Sequence, residues 1–212
     1  MDALATAFIW LDYAAVAVFG ATGALAAAHR KHDIVTFCFF AAVTGVGGGT
    51  MRDLFNDAPV FWVQRPDYVI VCLLAGLAVW VFGTGNARMK VLLWFDALGM
   101  AAYSVVGAAK AISLGVAPLS AIVMGVLTAC FGGIIRDVLA GEPSVLLRRE
   151  IYVTCALVGA SVYVVLYMLG VRDIWTGVGG FAAAFIVRAG AIRWGWMLPA
   201  FRGRGRGRDT AD

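Results

Sequence analysis

TGVGGGTMRD, at residues 44–53, lies inside an apolar run that begins near Ile34. Its three consecutive glycines, Gly47, Gly48 and Gly49, would each weaken a helix interior by about 1 kcal/mol relative to alanine. An arginine and an aspartate follow directly, although charged side chains are costly in lipid. This combination indicates a chain segment that is covered by protein or water rather than by lipid.

The same pattern occurs again as TACFGGIIRD at residues 128–137, 84 residues later and with no gap. The offset relates further residues that fix charge or backbone shape. The matching pairs are Asp12 with Asp96, Thr44 with Thr128, Gly48 with Gly132, Gly49 with Gly133, Arg52 with Arg136, Asp53 with Asp137, and Pro59 with Pro143. A fixed offset across such residues indicates the duplication of one structural unit.

The composition is that of an integral membrane protein. Of the 212 residues, 62% are hydrophobic and 14% are charged, whereas soluble domains carry about 25% charged residues. The apolar runs are unbroken, which is typical of membrane helices rather than of the alternating strands of a membrane β-barrel. We therefore expect an all-α integral membrane fold.

Seven apolar runs approach the length of about 20 residues that a membrane span needs. They cover about residues 3–28, 34–55, 67–82, 91–114, 118–139, 151–169 and 174–192. Three spans form repeat 1, at about residues 3–83, and three form repeat 2, at about residues 90–169. With the seventh span, residues 1–192 are expected to form one transmembrane domain, followed by a basic, disordered, cytoplasmic tail at residues 193–212.

An odd number of spans in each repeat inserts the two repeats in opposite orientations. Spans two and five, which carry the glycines, should then face each other across a pseudo-two-fold axis in the membrane plane. Basic residues concentrate on one side of this topology. They are Arg30, Lys31, Arg88, Lys90, Arg148, Arg149 and the arginines of the tail. The positive-inside rule therefore predicts an external N-terminus and a cytoplasmic C-terminus.

The glycines have two interpretations. A kinked or unwound helix frees carbonyl groups that replace the water around a cation, and Thr44 and Thr128 would add hydroxyls one turn earlier. Alternatively, small residues let helices pack closely, and Gly45 and Gly49 have the GxxxG spacing of such contacts. The charges after both clusters favour an ion pathway along spans two and five, kinked at the glycines.

The charged pairs also have two interpretations. Arg52 with Asp53, and Arg136 with Asp137, are expected either to line the mouths of the pathway or to tie span ends together as structural ion pairs.

Three further charges lie within apolar spans. Asp12 and Asp96 mark either a functional site or a partnered pair. Lys110, late in span four, is expected to pair with an aspartate or to reach the membrane interface rather than to sense voltage.

No sequence motif indicates an enzyme, a cofactor or a metal site, since no nucleophile–base set, P-loop or zinc signature is present. His29, His32 and Asp33 lie in a basic loop that we interpret as a cytoplasmic anchor. The arginine-glycine tail suits anionic membrane lipid better than nucleic acid.

The repeated glycine and Arg-Asp motifs, in two three-span halves with a seventh span, resemble the prokaryotic branch of the trimeric intracellular cation (TRIC) channels. Related bacterial proteins are also described as glycine-transporter-like. The resemblance covers about residues 5–192 and includes Pro59 and Pro143. It implies a homotrimer in the inner membrane of a bacterium or archaeon, with one pore per subunit that passes monovalent cations, chiefly potassium.

The resemblance also implies which residues form the pore. They are Thr44, Gly47, Gly48, Gly49, Thr128, Phe131, Gly132 and Gly133. Phe131 replaces Gly47 in the second copy, so the halves should bend unequally and Phe131 should narrow the pore. A secondary transporter of a small solute such as glycine is the alternative function, and a membrane scaffold without transport is a third.

Overall fold

The computed structural model describes residues 3–83, 88–144 and 151–198, and these residues form eight helices. The helices are α1 (Ala3–His29), α2 (Ile34–Phe55), α3 (Phe61–Gln64), α4 (Asp67–Phe82), α5 (Arg88–Ser113), α6 (Pro118–Ala140), α7 (Val153–Met168) and α8 (Asp173–Trp194). Five are long and apolar enough to cross a membrane, while α4 and α7 are shorter apolar helices. The chain therefore has an all-helical membrane fold.

The seven apolar runs correspond to α1, α2 and α4 to α8, with ends that differ by at most three residues. The short helix α3, between α2 and α4, was not expected from the sequence. Because α4 and α7 contain 16 residues each, fewer than a full span requires, the count of seven complete spans stays a prediction. Arg148, Arg149 and the tail beyond residue 198 lie outside the described residues.

Local signals fix the ends of the two glycine-containing helices. The side chain of Asp33 caps α2 by accepting a hydrogen bond of 2.8 Å from the backbone N–H of Thr36. Pro118 begins α6 at a position where its missing N–H costs nothing. Gly141 ends α6 with φ of 63°, a left-handed conformation that favours glycine.

The two repeats form matching three-helix bundles. In the first, α1, α2 and α4 pack on one another, and in the second, α5, α6 and α7 do so. The bundles meet where α1 packs on α5 and α2 packs on α6, which are the pairs that a pseudo-two-fold axis would bring together. Helix α8 packs against α5 and α7, and so belongs with the second bundle.

An aromatic stack lies between the bundles. The rings of Phe19 and Tyr103, which occupy equivalent positions in the two repeats, are stacked with centroids 5.2 Å apart. Both side chains are fully buried, and the Tyr103 hydroxyl donates a hydrogen bond to the carbonyl oxygen of Gly45. A contact between equivalent residues is expected on an axis that relates the repeats.

Replacing the cap of α2 should weaken the protein in a pH-dependent way. Hydrogen bonding from Thr36 lowers the pKa of Asp33, so its contribution to stability is present above the ordinary aspartate pKa and is lost as pH falls through the lowered value. We expect Asp33→Ala to lower the melting temperature slightly at pH 7 and to change it least at low pH. Thermal unfolding measured from pH 7 to pH 3 checks this, and an equal effect at every pH would contradict it.

Candidate ion pathway

Helices α2 and α6 touch through backbone atoms at one glycine from each motif. A Cβ atom on Gly48 would collide with the carbonyl oxygen of Thr128. A Cβ atom on Gly132 would lie 2.8 Å from the carbonyl oxygen of Thr44. Close helix packing through small residues, one of the two interpretations of the glycines, is therefore present at the crossing of α2 and α6.

The other motif glycines face side chains. A Cβ atom on Gly49 would lie 2.5 Å from the ring of Phe61 in α3, and one on Gly133 would lie 3.1 Å from the hydroxyl of Tyr152. Gly47 faces the end of a flexible side chain of α6. Two of the predicted pore glycines, Gly48 and Gly132, therefore form the backbone contact between α2 and α6. The other three face side chains.

The helical backbone continues through both glycine clusters. Helices α2 and α6 are α-helical without interruption from Ile34 to Phe55 and from Pro118 to Ala140, so the glycines do not unwind either helix. The physical reason is that the continuous helix satisfies its own backbone groups, and this outweighs the weak helix propensity of glycine. Kinks of the helix axes stay a prediction.

The two motif threonines are fully buried beside the crossing. The hydroxyl of Thr128 donates to the carbonyl oxygen of Met124 at 2.6 Å, whereas that of Thr44 has no hydrogen-bond partner among the described residues. Each hydroxyl lies against an equivalent glycine of the preceding helix, Gly23 for Thr44 and Gly107 for Thr128. The hydroxyls thus point into their own repeats, and a pore-lining role for them stays a prediction.

The second repeat contains a buried charged cluster, cluster 2, formed by Asp96, Arg136, Asp137 and Tyr152. The Nη1 atom of Arg136 donates to Asp96 at 2.7 Å and to the hydroxyl of Thr22 in α1 at 3.2 Å. Its Nε and Nη2 atoms lie 2.9 Å and 2.8 Å from Asp137. Arg136 therefore ties α6 to both α5 and α1 at a buried position.

The equivalent residues of the first repeat form cluster 1, which contains Asp12, Arg52, Asp53 and Tyr68. Arg52 donates to Asp53 at 2.8 Å, and Asp53 accepts a further bond of 2.9 Å from the backbone N–H of Phe61. Asp12 accepts a hydrogen bond of 2.9 Å from the hydroxyl of Tyr68. Each predicted Arg-Asp pair thus forms an ion pair, and each intramembrane aspartate has a polar partner.

A cavity of about 50 Å³ reaches cluster 2 from the surface. His29, Arg30 and Glu142 lie at its mouth, while Asp96 and Arg136 lie at its buried end. The guanidinium of Arg30 lies 3.0 Å from the carboxylate of Glu142, which joins the end of α1 to the end of α6. A space of this size accommodates water or a small ion.

Two predicted site residues lie outside these clusters. Lys110 is exposed in the last turn of α5, and Phe131 is half-buried beside the crossing. The exposed position of Lys110 suits a side chain that reaches the interface, and the role of Phe131 stays a prediction.

A buried arginine of α8 was missed from the sequence. The guanidinium of Arg188 lies over the ring of Tyr152, 5.1 Å from its centroid, and Arg188 donates to the carbonyl oxygen of Ile151. Since α8 lies outside the repeat, no equivalent residue draws attention to this arginine. In cluster 1, the Arg65 guanidinium occupies a similar place, 5.6 Å from the ring centroid of Tyr68.

Comparison with known proteins places this chain in a family. Two segments, residues 9–84 and 93–168, each match the family model described as Glycine transporter. The two matched segments are offset by 84 residues, which is the offset of the sequence repeat.

The UPF0126 membrane protein of Vibrio cholerae is 38% identical over 210 residues, which cover 94% of this chain and 85% of that protein. The UPF0126 inner membrane protein YadS of Escherichia coli is 37% identical over 196 residues, covering 91% of this chain and 95% of that protein. Among solved structures, the TRIC trimeric intracellular cation channel orthologue from Rhodobacter sphaeroides is 47% identical with a TM-score of 0.88, over 90% of this chain and 100% of that one. The chain therefore belongs to the TRIC family, which is also described as the Glycine transporter family.

Proposed function

We propose that this protein is a channel for monovalent cations, chiefly potassium, and that ions pass between the two repeats along α2 and α6. The observation that carries the proposal is the close similarity to the Rhodobacter sphaeroides cation channel orthologue over nearly the whole chain. We propose no enzymatic activity, because the structures that this chain resembles are channels.

The carboxylates of the site are the groups that suit cations. Each cluster contains two carboxylates, which are balanced by the arginine of the cluster and by a second guanidinium over its tyrosine, that of Arg65 in cluster 1 and that of Arg188 in cluster 2. Carboxylate oxygens released from such ion pairs attract cations and repel anions. Because α2 and α6 touch at the glycines, we propose that ions pass when these helices move apart.

We propose an assembly and a topology that match the resemblance. Three copies would form a homotrimer in the bacterial or archaeal inner membrane, with one pore in each subunit. The two three-helix repeats would be inverted, and α8 would complete seven membrane spans. The N-terminus would be outside and the basic tail, residues 193–212, would lie in the cytoplasm, where it would meet anionic lipid.

Recordings from purified protein in planar bilayers test the function. With a tenfold gradient of potassium chloride, a cation channel reverses near the potassium equilibrium potential, and we expect single-channel steps with that reversal. Reversal near the chloride potential, or the absence of current from protein that is folded and reconstituted, would contradict the proposal. Protein inactivated by heat before reconstitution serves as the control.

Secondary transport of a small solute such as glycine is the second candidate. The description of the matching family model and the repeat architecture favour it. Uptake of labelled glycine into proteoliposomes distinguishes the two, because a transporter shows saturable uptake, whereas the proposed channel shows potassium currents and no glycine uptake.

A further inference from the structure

A carboxylate and a guanidinium meet at the mouth of the cavity that α1, α5 and α6 enclose, outside both clusters. The Nη2 atom of Arg30 donates to the carboxylate of Glu142 at 3.0 Å and to the carbonyl oxygen of Gly141 at 3.3 Å. The Nδ1 atom of His29 lies 3.9 Å from the same carboxylate. The three side chains are between 37% and 59% exposed, so this pair is weak and competes with water and dissolved ions.

The position of the Arg30 guanidinium suits a cation in general. Helix α6 ends at Ala140, and Gly141 presents its carbonyl oxygen from the C-cap position. The C-terminal end of a helix carries partial negative charge and favours cations. Carbonyl and carboxylate oxygens are also the groups that cation channels present to permeating ions. A potassium ion could therefore replace the guanidinium at the same oxygens.

A second carboxylate oxygen is available at the inner end of the cavity. Asp96 lines this end and is 1% exposed. Its Oδ1 atom accepts from Arg136, whereas its Oδ2 atom is buried and has no hydrogen-bond partner in the part of the chain that the structure describes. A buried polar oxygen without a partner costs free energy, which a cation or a water molecule in the cavity would recover. The cavity thus leads from an exposed carboxylate to a buried one.

The other repeat lacks the residues of this entrance. The offset of 84 residues places Ala58 at the position of Glu142 and Leu114 at the position of Arg30. Neither the carboxylate nor the guanidinium therefore has an equivalent where α2 ends. We expect the entry of ions to differ between the two sides of the membrane.

We propose that the Glu142 carboxylate and the Gly141 carbonyl form an entry site for monovalent cations, which Arg30 occupies in this structure. An entering potassium ion displaces the Arg30 side chain into solvent and then reaches Asp96 through the cavity. The entry site lies on the side that the basic residues assign to the cytoplasm, so it serves ions that leave the cytoplasm. This inference rests on the proposed channel function.

Currents measured in each direction at low ionic strength test the entry site. We expect Glu142→Gln to lower the potassium current that enters from this side about twofold or more, because the carboxylate concentrates the entering ion. Arg30→Gln removes the occupant and should raise the same current. Neither variant should change the current that enters from the opposite side. Both effects should fade in about 1 M salt, where the Debye length is about 3 Å.

A carboxylate elsewhere on the same side provides the matched control. Asp33→Asn makes the same change of charge at the start of α2, outside the lining of the cavity, and asparagine also caps helices well. It should leave both currents unchanged. Equal losses from Asp33→Asn and Glu142→Gln, or an equal loss in both directions of current, would overturn the proposal.

A second readout does not depend on current. In a variant whose four native cysteines are replaced by alanine, His29→Cys places a thiol beside the Glu142 carboxylate at an exposed position. A cationic methanethiosulfonate reagent should modify this thiol severalfold faster than an anionic one, and Glu142→Gln should remove most of the difference. Replacing a large organic cation by potassium at constant ionic strength should slow the cationic reagent only while Glu142 is present.

The two readouts separate the entry site from the channel function. If potassium slows the cationic reagent but the wild type does not conduct, the cation site stands and the channel function fails. If the wild type conducts, Glu142→Gln leaves its currents unchanged and potassium leaves the reagent rate unchanged, the entry site fails and the channel function stands.

Discussion

Arg136→Leu is expected to lower the free energy of unfolding by about 3–5 kcal/mol, the usual cost of removing one partner of a buried ion pair. The substitution leaves Asp96 buried without the guanidinium that lies 2.7 Å from it. It also removes the connection between α6 and the hydroxyl of Thr22. Thermal and denaturant unfolding of the purified protein in detergent measures the loss.

A second ion pair of the same chain provides the control. Arg30 pairs with Glu142 at 3.0 Å, but Arg30 is 44% exposed, and exposed pairs contribute about 0–1 kcal/mol. Arg30→Leu should therefore change stability little. Adding Asp96→Asn to Arg136→Leu should recover part of the loss, because the uncompensated charge is then removed. Equal losses from the Arg30 and Arg136 variants would contradict this description of cluster 2.

Gly48→Ala is expected to destabilise the protein by about 1–3 kcal/mol or more, the range found for overpacked sites. The added methyl group would collide with a backbone carbonyl oxygen, that of Thr128, and a backbone atom moves only if α2 and α6 separate. Thermal unfolding and the oligomeric state by size-exclusion chromatography measure the effect, and we expect the assembly to survive in the folded fraction.

The neighbouring glycine is the matched control. A methyl group on Gly47 would meet Cδ1 of Ile135 at 2.7 Å, the far end of a side chain that rotates away at small cost. Gly47→Ala adds the same atoms to the same helix and should be well tolerated. If both alanine variants unfold at the wild-type temperature, the backbone contact at the crossing is not a determinant of stability.

The sequence alone was sufficient for the seven apolar helices and for the contact between α2 and α6, but not for the short helix α3. Long apolar runs gave the helix ends to within three residues, because membrane helices need a minimum apolar length and end at polar or proline residues. The offset of 84 residues also paired the members of the two clusters, including Tyr68 with Tyr152. The offset does not reveal, however, that the Tyr68 hydroxyl donates a hydrogen bond to Asp12, whereas the Tyr152 hydroxyl has no hydrogen-bond partner among the described residues.

The contacts of individual glycines could not be predicted. Gly48 and Gly49 are adjacent in sequence, yet one lies against α6 and the other against α3. Successive residues of a helix point about 100° apart, so the helix crossing decides which one becomes a contact. The continuity of α2 also depends on its neighbours, because glycine propensity describes an isolated helix rather than a packed one.

The different hydrogen bonds of cluster 1 and cluster 2 could not be predicted from the sequence either. Thr22 is unremarkable in an apolar span, and only the position of Arg136 beside its hydroxyl makes Thr22 a partner of cluster 2. The contact of Arg188 with the ring of Tyr152 likewise depends on the packing of α8 against α7, which the sequence does not reveal.

A reversible cross-link between α2 and α6 tests most directly whether ions pass between these helices. In the cysteine-free variant, Gly47→Cys with Ile135→Cys places two thiols at the crossing, where the side chain of Ile135 reaches Gly47. We expect potassium current in planar bilayers to disappear when the disulfide forms and to return when a reductant cleaves it, while each single cysteine variant conducts throughout. Full current through protein shown to be cross-linked would contradict a pathway along α2 and α6.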